Sequence, residues 1–217
     1  MFKGLVFILL FFVHFLEAQI GSWNILNVKY ELDKSWSYVG EAQLRSLLFY
    51  NHFHYYEYKG FINKKWNDEL ITSLGIGSYQ TFKEGGNFMK PKNADELRIS
   101  PQIITIQNFH SIQLEHRYRM ELRFINKGYK NRFRYRLNLK YSFPKIPVSC
   151  FLNNEIFFGT QAPYFERNRS SFVIQYKISH FLSYQLGFLY QFDYKINDET
   201  GRNFIVIGAL WDLKLHQ

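Results

Sequence analysis

The chain has 217 residues, a formal net charge of +9 and 20% aromatic residues, with 23 Phe and 16 Tyr but a single cysteine. One cysteine excludes an internal disulfide framework. The mean hydropathy of −0.28, with no long apolar run after the first residues, leaves no candidate transmembrane helix in the body of the chain.

The chain opens MFKGLVFILLFFVHFLEAQ. Lys3 supplies a positive start, Leu5 to Leu16 an apolar core, and Ala18 a small residue for cleavage. This pattern predicts a secretory signal peptide over residues 1–18, too short to span a bilayer as a helix. No cysteine follows the apolar core, which argues against a lipid-anchored lipoprotein. Residues 19–217 are expected to form one domain. An exported basic protein meets anionic lipid headgroups and lipopolysaccharide phosphates, so no nucleic-acid partner is expected.

Beyond residue 33 the sequence alternates. Tyr38, Gly40, Ala42 and Leu44 oppose Glu41, Gln43 and Arg45, and then Tyr56, Tyr58 and Ile62 oppose Glu57 and Lys59. In ITSLGIGSYQ the inward set Ser73, Gly75 and Gly77 lacks bulk, and should make room for arginines reaching across from other strands. Leu97, Ile99 and Ile103 oppose Glu96, Arg98 and Gln102. The clearest stretch is QLEHRYRMELRFINKGYKNRFRYRLNLKYSF, residues 113–143, with six arginines and three lysines. Its apolar rows run Leu114 to Phe124 and Phe133 to Phe143, with Asn126-Lys127-Gly128 as the turn between them. Further on, Phe172, Ile174 and Tyr176 oppose Gln175 and Lys177, and Tyr184, Leu186, Phe188 and Tyr190 oppose Gln185 and Gln191. The final run RNFIVIGALWDLKLHQ carries Gly208, Trp211 and Leu213, similar to the C-terminal signal read by the barrel-assembly machinery, although it stops at His216-Gln217 without a terminal aromatic.

Side chains on a strand point alternately to opposite faces, so each run has one apolar and one charged face. These runs exceed the roughly 5–6 residues usual for strands and suit the roughly 9–11 residues of a tilted membrane crossing. A bilayer accepts sheet only as a closed barrel, because an open edge would leave backbone groups unpaired in lipid. The predicted fold is all-β: a single closed antiparallel transmembrane β-barrel in the bacterial outer membrane, monomeric, with lipid as its surroundings. Eleven candidate strands can be counted, with residues 21–33 the weakest. Single-chain bacterial barrels are even-numbered, which predicts ten or twelve. The longer connections near residues 83–93, 159–166 and 197–201 are expected outside the cell, and the tight turns in the periplasm. A soluble exported sandwich or lipocalin-like barrel is the alternative, but its apolar face would have to bury an unusual number of tyrosines.

In such a barrel the charged faces line the lumen. The expected network takes Glu41 and Arg45 from one run and Glu57 from the next. The central pair adds Glu115, Arg117, Arg119, Glu121, Arg123, Arg132, Arg134 and Arg136, and the following runs add Glu155, Arg167 and Arg169. Desolvated carboxylates need partners, and the planar guanidinium supplies several donors while staying charged. Such a network either fills the barrel as structure or lines a narrow passage that prefers anions. An acyl hydrolase acting on phospholipid or lipid A is the alternative function. Its weak candidate base is His116, which interrupts an apolar row, but the neighbour on that face is Tyr118 rather than a serine. His52 and His54 lie near Glu57, fewer ligands than a structural zinc requires. There is no nucleophile elbow, phosphate loop or dinucleotide fingerprint, and no metal or cofactor is expected.

IGSWNILNVKY, EAQLRS, LEHRYRMELRF, NRFRYRLNLKY, NEIFF and YFERNR together resemble the domain-of-unknown-function 2490 family of small exported proteins. The resemblance covers essentially the whole chain after residue 18. It implies a single-domain outer-membrane barrel without cofactor, and it brings no catalytic residues with it.

Overall fold

Two-faced runs joined by short turns can satisfy their backbone groups only by pairing side by side, and here they pair until the sheet closes. The computed structural model describes residues 19–126, 128–194 and 199–214. The expected signal peptide at residues 1–18 and the terminal His216-Gln217 lie outside these described residues.

Among the described residues there are eleven strands: β1 (Ile20–Glu31), β2 (Trp36–Leu48), β3 (Asn51–Lys65), β4 (Leu70–Lys83), β5 (Met89–Phe109), β6 (Ile112–Ile125), β7 (Gly128–Ser142), β8 (Val148–Gly159), β9 (Phe165–Lys177), β10 (Leu182–Asp193) and β11 (Thr200–Lys214). They form a closed barrel in which each strand pairs with its neighbours in sequence and β1 pairs with β11. The weakest run, residues 21–33, is therefore a full wall strand.

Two expectations are corrected. The count is eleven, not ten or twelve, and the barrel is mixed rather than purely antiparallel. The second correction follows from the first. Each strand of an up-and-down chain reverses direction, so an odd number leaves the first and last pointing the same way. The closing pair is accordingly parallel, running from Ile20↔Asn203 to Glu31↔Lys214. For the same reason, the start of β1 and the end of β11 lie at opposite ends of the barrel.

The connections before β3, β5, β7, β9 and β11 share one end, here called the loop end. The turns at residues 32–35, 66–69, 110–111, 143–147 and 178–181 share the other, the turn end. The three connections expected to be long all fall at the loop end, although β5 begins at Met89 and shortens the first of them to residues 84–88, and residues 195–198 of the third lie outside the described residues. Gly128, with φ of 130°, makes the tight β6–β7 reversal possible, because an L side chain rarely adopts that conformation.

Burial is inverted relative to a water-soluble barrel. Leu186 is 61% exposed and Ile76 57%, whereas Glu121 is 0% exposed and Arg119 3%. Aromatics collect on the outer face towards both ends. Trp36, Trp66, Tyr176 and Trp211 lie towards the turn end, and Phe124, Tyr129, Phe158 and Tyr190 towards the loop end. The interior holds charge, with one small apolar cluster of Trp23, Leu189, Phe204 and Val206 on the β1, β10 and β11 side.

Candidate functional site

The interior is organised around β6 and β7, whose register sets Arg117 opposite Arg136, Arg119 opposite Arg134 and Glu121 opposite Arg132. Like charges facing each other across strands repel, so this register stands only if carboxylates are interposed. Glu121 accepts from Arg132 Nη2 at 2.5 Å and from Arg134 Nη1 at 2.5 Å, with Arg98 Nη1 at 3.7 Å. Glu155, reaching in from β8, accepts from Arg117 Nη2 at 2.6 Å and Arg134 Nη2 at 2.8 Å, with Arg169 Nη1 at 4.0 Å. Glu115 pairs with Arg136 at 2.5 Å.

A second cluster lies on β2 and β3. The Arg45 guanidinium stacks at 3.4 Å from the Trp23 ring and 4.0 Å from the Tyr55 ring, and pairs with Glu57 at 3.2 Å. Lys59 joins Glu57 to Glu41, lying 2.5 Å from the latter. Arg123 pairs with Glu96 at 2.9 Å, and Arg167 pairs with Asp193. The strands thus bring all fourteen predicted residues to the interior, and among the described residues each is in an ion pair except Arg119.

Several participants were absent from the predicted set: Lys59, Glu96, Arg98, Glu166 and Asp193. The signal for most of them was present, since they share the polar face of the same alternation. The inward aromatics were harder to find. Phe157, 0% exposed, lies 4.5 Å from the Arg134 guanidinium and 4.7 Å from that of Arg169. It is adjacent to the outward Phe158, so alternation alone leaves either of the two free to face inward.

The network fills the loop-end half of the lumen and reaches just past mid-barrel at Glu41, Lys59, Glu115 and Arg117. Above it, Arg202 of β11 pairs at 2.6 Å with Glu84, in the connection after β4. Three strands separate these residues around the wall, so the pair crosses the mouth. The lumen is more open from mid-barrel towards the turn end. A chamber of about 300 Å³ at mid-barrel adjoins a vestibule of about 870 Å³, and Glu41, Arg117 and Arg119 line both. Around the chamber stand six cationic side chains, Lys59, Arg117, Arg119, Arg134, Arg136 and Arg169, against two carboxylates, Glu41 and Glu155.

The small residues of β4 make room, but not directly for arginines. A Cβ on Gly75 would stand 2.2 Å from the Phe61 ring, and one on Gly77 2.5 Å from Lys59 Cβ. Gly75 accommodates Phe61, and the Arg119 guanidinium lies 4.9 Å from that ring. Ser73 Oγ accepts from Gln102 Nε2 at 3.0 Å, and Gln102 Oε1 accepts from Arg119 Nε at 2.8 Å.

His116 Nδ1 lies 2.8 Å from the Tyr135 hydroxyl on the outer face, where Tyr118 also packs against Tyr135. Among the described residues, no serine or threonine hydroxyl is its hydrogen-bond partner. His52 and His54 do not present one ligand face. His52 has φ of 56°, and His54 falls where the β2–β3 register shifts beside Arg45/Ser46. Glu57 is engaged by Arg45, Lys59 and Tyr55. Among the described residues no group of three His, Cys, Asp or Glu could hold a metal ion.

Comparison with known proteins places these features in context. A family model described as "Protein of unknown function (DUF2490)" matches residues 20–202. No curated protein matches. Among solved structures, the chain is similar to an anion-selective porin from Comamonas acidovorans, with a TM-score of 0.40 and 11% identity. That likeness covers 80% of this chain and 55% of the porin, so the chain spans little more than half of its length.

Proposed function

We propose a function from one premise: the chain belongs to the DUF2490 family of proteins of unknown function. The protein is exported by its N-terminal signal peptide, residues 1–18, and inserted by the barrel-assembly machinery into the bacterial outer membrane as a monomer. There it forms a narrow, anion-preferring conduit whose loop-end half is braced and constricted by the arginine–carboxylate network. The tight turns face the periplasm, so the vestibule opens on that side.

The observation that carries this reading is the inverted burial. Apolar side chains such as Leu74, Ile76 and Leu186 are among the most exposed, while Glu121 is fully enclosed. Water disfavours that distribution and hydrocarbon favours it. Aromatics near both ends of the strands support it further, since they suit the two interfaces of a bilayer. The preference for anions follows from the excess of guanidinium and ammonium groups around the chamber.

The test is single-channel recording of the refolded protein in a planar bilayer, with closure of the barrel checked by heat-modifiable migration on a gel. Small anion-selective steps are expected, and Arg119→Glu should weaken or invert the selectivity. Arg119 suits this purpose better than Arg134. Reversing Arg134 would set a carboxylate against both Glu121 and Glu155 and disturb the fold itself. A folded barrel that passes cations as readily as anions would overturn the reading.

A further inference from the structure

The six cations around the chamber are not evenly supplied with partners. Arg119 is 3% exposed, yet among the described residues no carboxylate pairs with it. Its one hydrogen bond is from Nε to Gln102, and its charge rests on the Phe61 ring. A buried guanidinium without a counter-charge is costly, so the wall around it tends to be completed by an anion. The same deficit shows in its neighbours. Arg117 Nε and Arg136 Nε are buried without a hydrogen-bond partner.

The chamber is also two-sided. Four of the arginines come from β6 and β7, whereas Trp23, Ile25, Val173, Leu189, Val206 and Leu210 come from β1 and from β9 to β11, across the lumen, where Arg169 of β9 lies 4.8 Å from the Trp23 ring. A fully hydrated inorganic anion would satisfy the first wall and gain nothing from the second. A ligand carrying one anionic group and a compact hydrocarbon body would engage both.

We propose that the mid-barrel chamber is a binding site for a small amphipathic anion, with Arg119 anchoring the charge and the β10–β11 wall receiving the hydrocarbon. Ser73 and Gln102 act as positioning residues, holding the Arg119 Nε while its terminal nitrogens are left without a partner among the described residues. The ligand enters from the vestibule, since Arg119 lines both spaces. This inference rests on the lumen being anion-preferring and adds the class of solute.

The experiment is calorimetric titration of the refolded protein in lipid nanodiscs with cyclohexanecarboxylate. Acetate serves as the charge alone and cyclohexanol as the hydrocarbon alone. Cyclohexanecarboxylate should bind at least about tenfold more tightly than either, because both walls contribute. Arg119→Gln should weaken it about tenfold or more, by removing the charge. Leu210→Gln should bring its affinity down towards that of acetate. Heat-modifiable migration identifies variants that have folded. Binding of acetate as tight as that of cyclohexanecarboxylate, or binding unchanged in folded Arg119→Gln, would overturn the proposal. Anion-selective conductance with no binding would remove this site and leave the conduit standing, whereas loss of anion selectivity would remove the conduit itself.

Discussion

Glu121 and Arg119 sit two residues apart on one face of β6, are almost equally enclosed, and stand in opposite energetic positions. Glu121 has two guanidiniums in direct contact and a third at 3.7 Å. Removing its charge strands several buried cations, and breaking a buried pair in this way costs about 3–5 kcal/mol. Glu121→Gln should therefore lose about that much stability when the refolded barrel is titrated with denaturant. Arg119 gives up one hydrogen bond and an unpaired charge, two effects of opposite sign. Arg119→Gln should stay within about 1 kcal/mol of the parent in the same titration. Equal losses in the two variants would mean that the Arg119 guanidinium is as fully paired as the Glu121 carboxylate, contrary to the geometry.

At the scale of elements, the parallel seam between β1 and β11 is the feature that distinguishes this wall from an even-numbered barrel. Its register sets Leu26 opposite Ala209, both on the outer face, whereas Leu26 and Ile205 are separated along the strand. In a Cys150→Ser background, Leu26→Cys with Ala209→Cys should form a disulfide on mild oxidation, seen as altered migration on a non-reducing gel. Leu26→Cys with Ile205→Cys should not, because disulfide geometry tolerates little separation between the two Cα atoms. Crosslinking of the second pair in preference to the first would displace the register and, with it, the parity of the wall. The elements across the barrel were easier to read: β6 and β7 alternate with His116 as the one exception in their apolar rows, so their faces and their turn could be assigned from order alone.

For the whole molecule, the asymmetry between the two ends would govern transport through the proposed conduit. The loop-end half is filled by ion pairs and the mouth is crossed by Arg202 and Glu84, while the chamber lies at mid-barrel and the vestibule in the turn-end half. Arg202→Glu would place two carboxylates where a salt bridge now stands. Its repulsion should raise single-channel conductance, and Glu84→Arg combined with it should restore the parental level. Conductance unchanged in Arg202→Glu would mean that the constriction lies deeper, among the network residues around Glu121.

The sequence by itself determined the class of fold, the sidedness of the strands and the identity of most luminal charges. Each of these depends only on period-two alternation, which is a local property of order and composition. It also contained the eleven strands, but the rule that barrels are even pulled the expectation to ten or twelve. Alternation carries no information about how the first and last strands meet. That seam, its parallel sense and the opposite placement of the two ends were decided by closure, a property of the whole sheet. The same holds within the lumen. Which arginines are paired depends on carboxylates brought from strands far apart in sequence, as Glu155 is brought to Arg117. That Arg119 alone of the predicted set lacks one, and that an apolar wall faces it across a chamber, follows from the three-dimensional register and from the room that Gly75 leaves for Phe61.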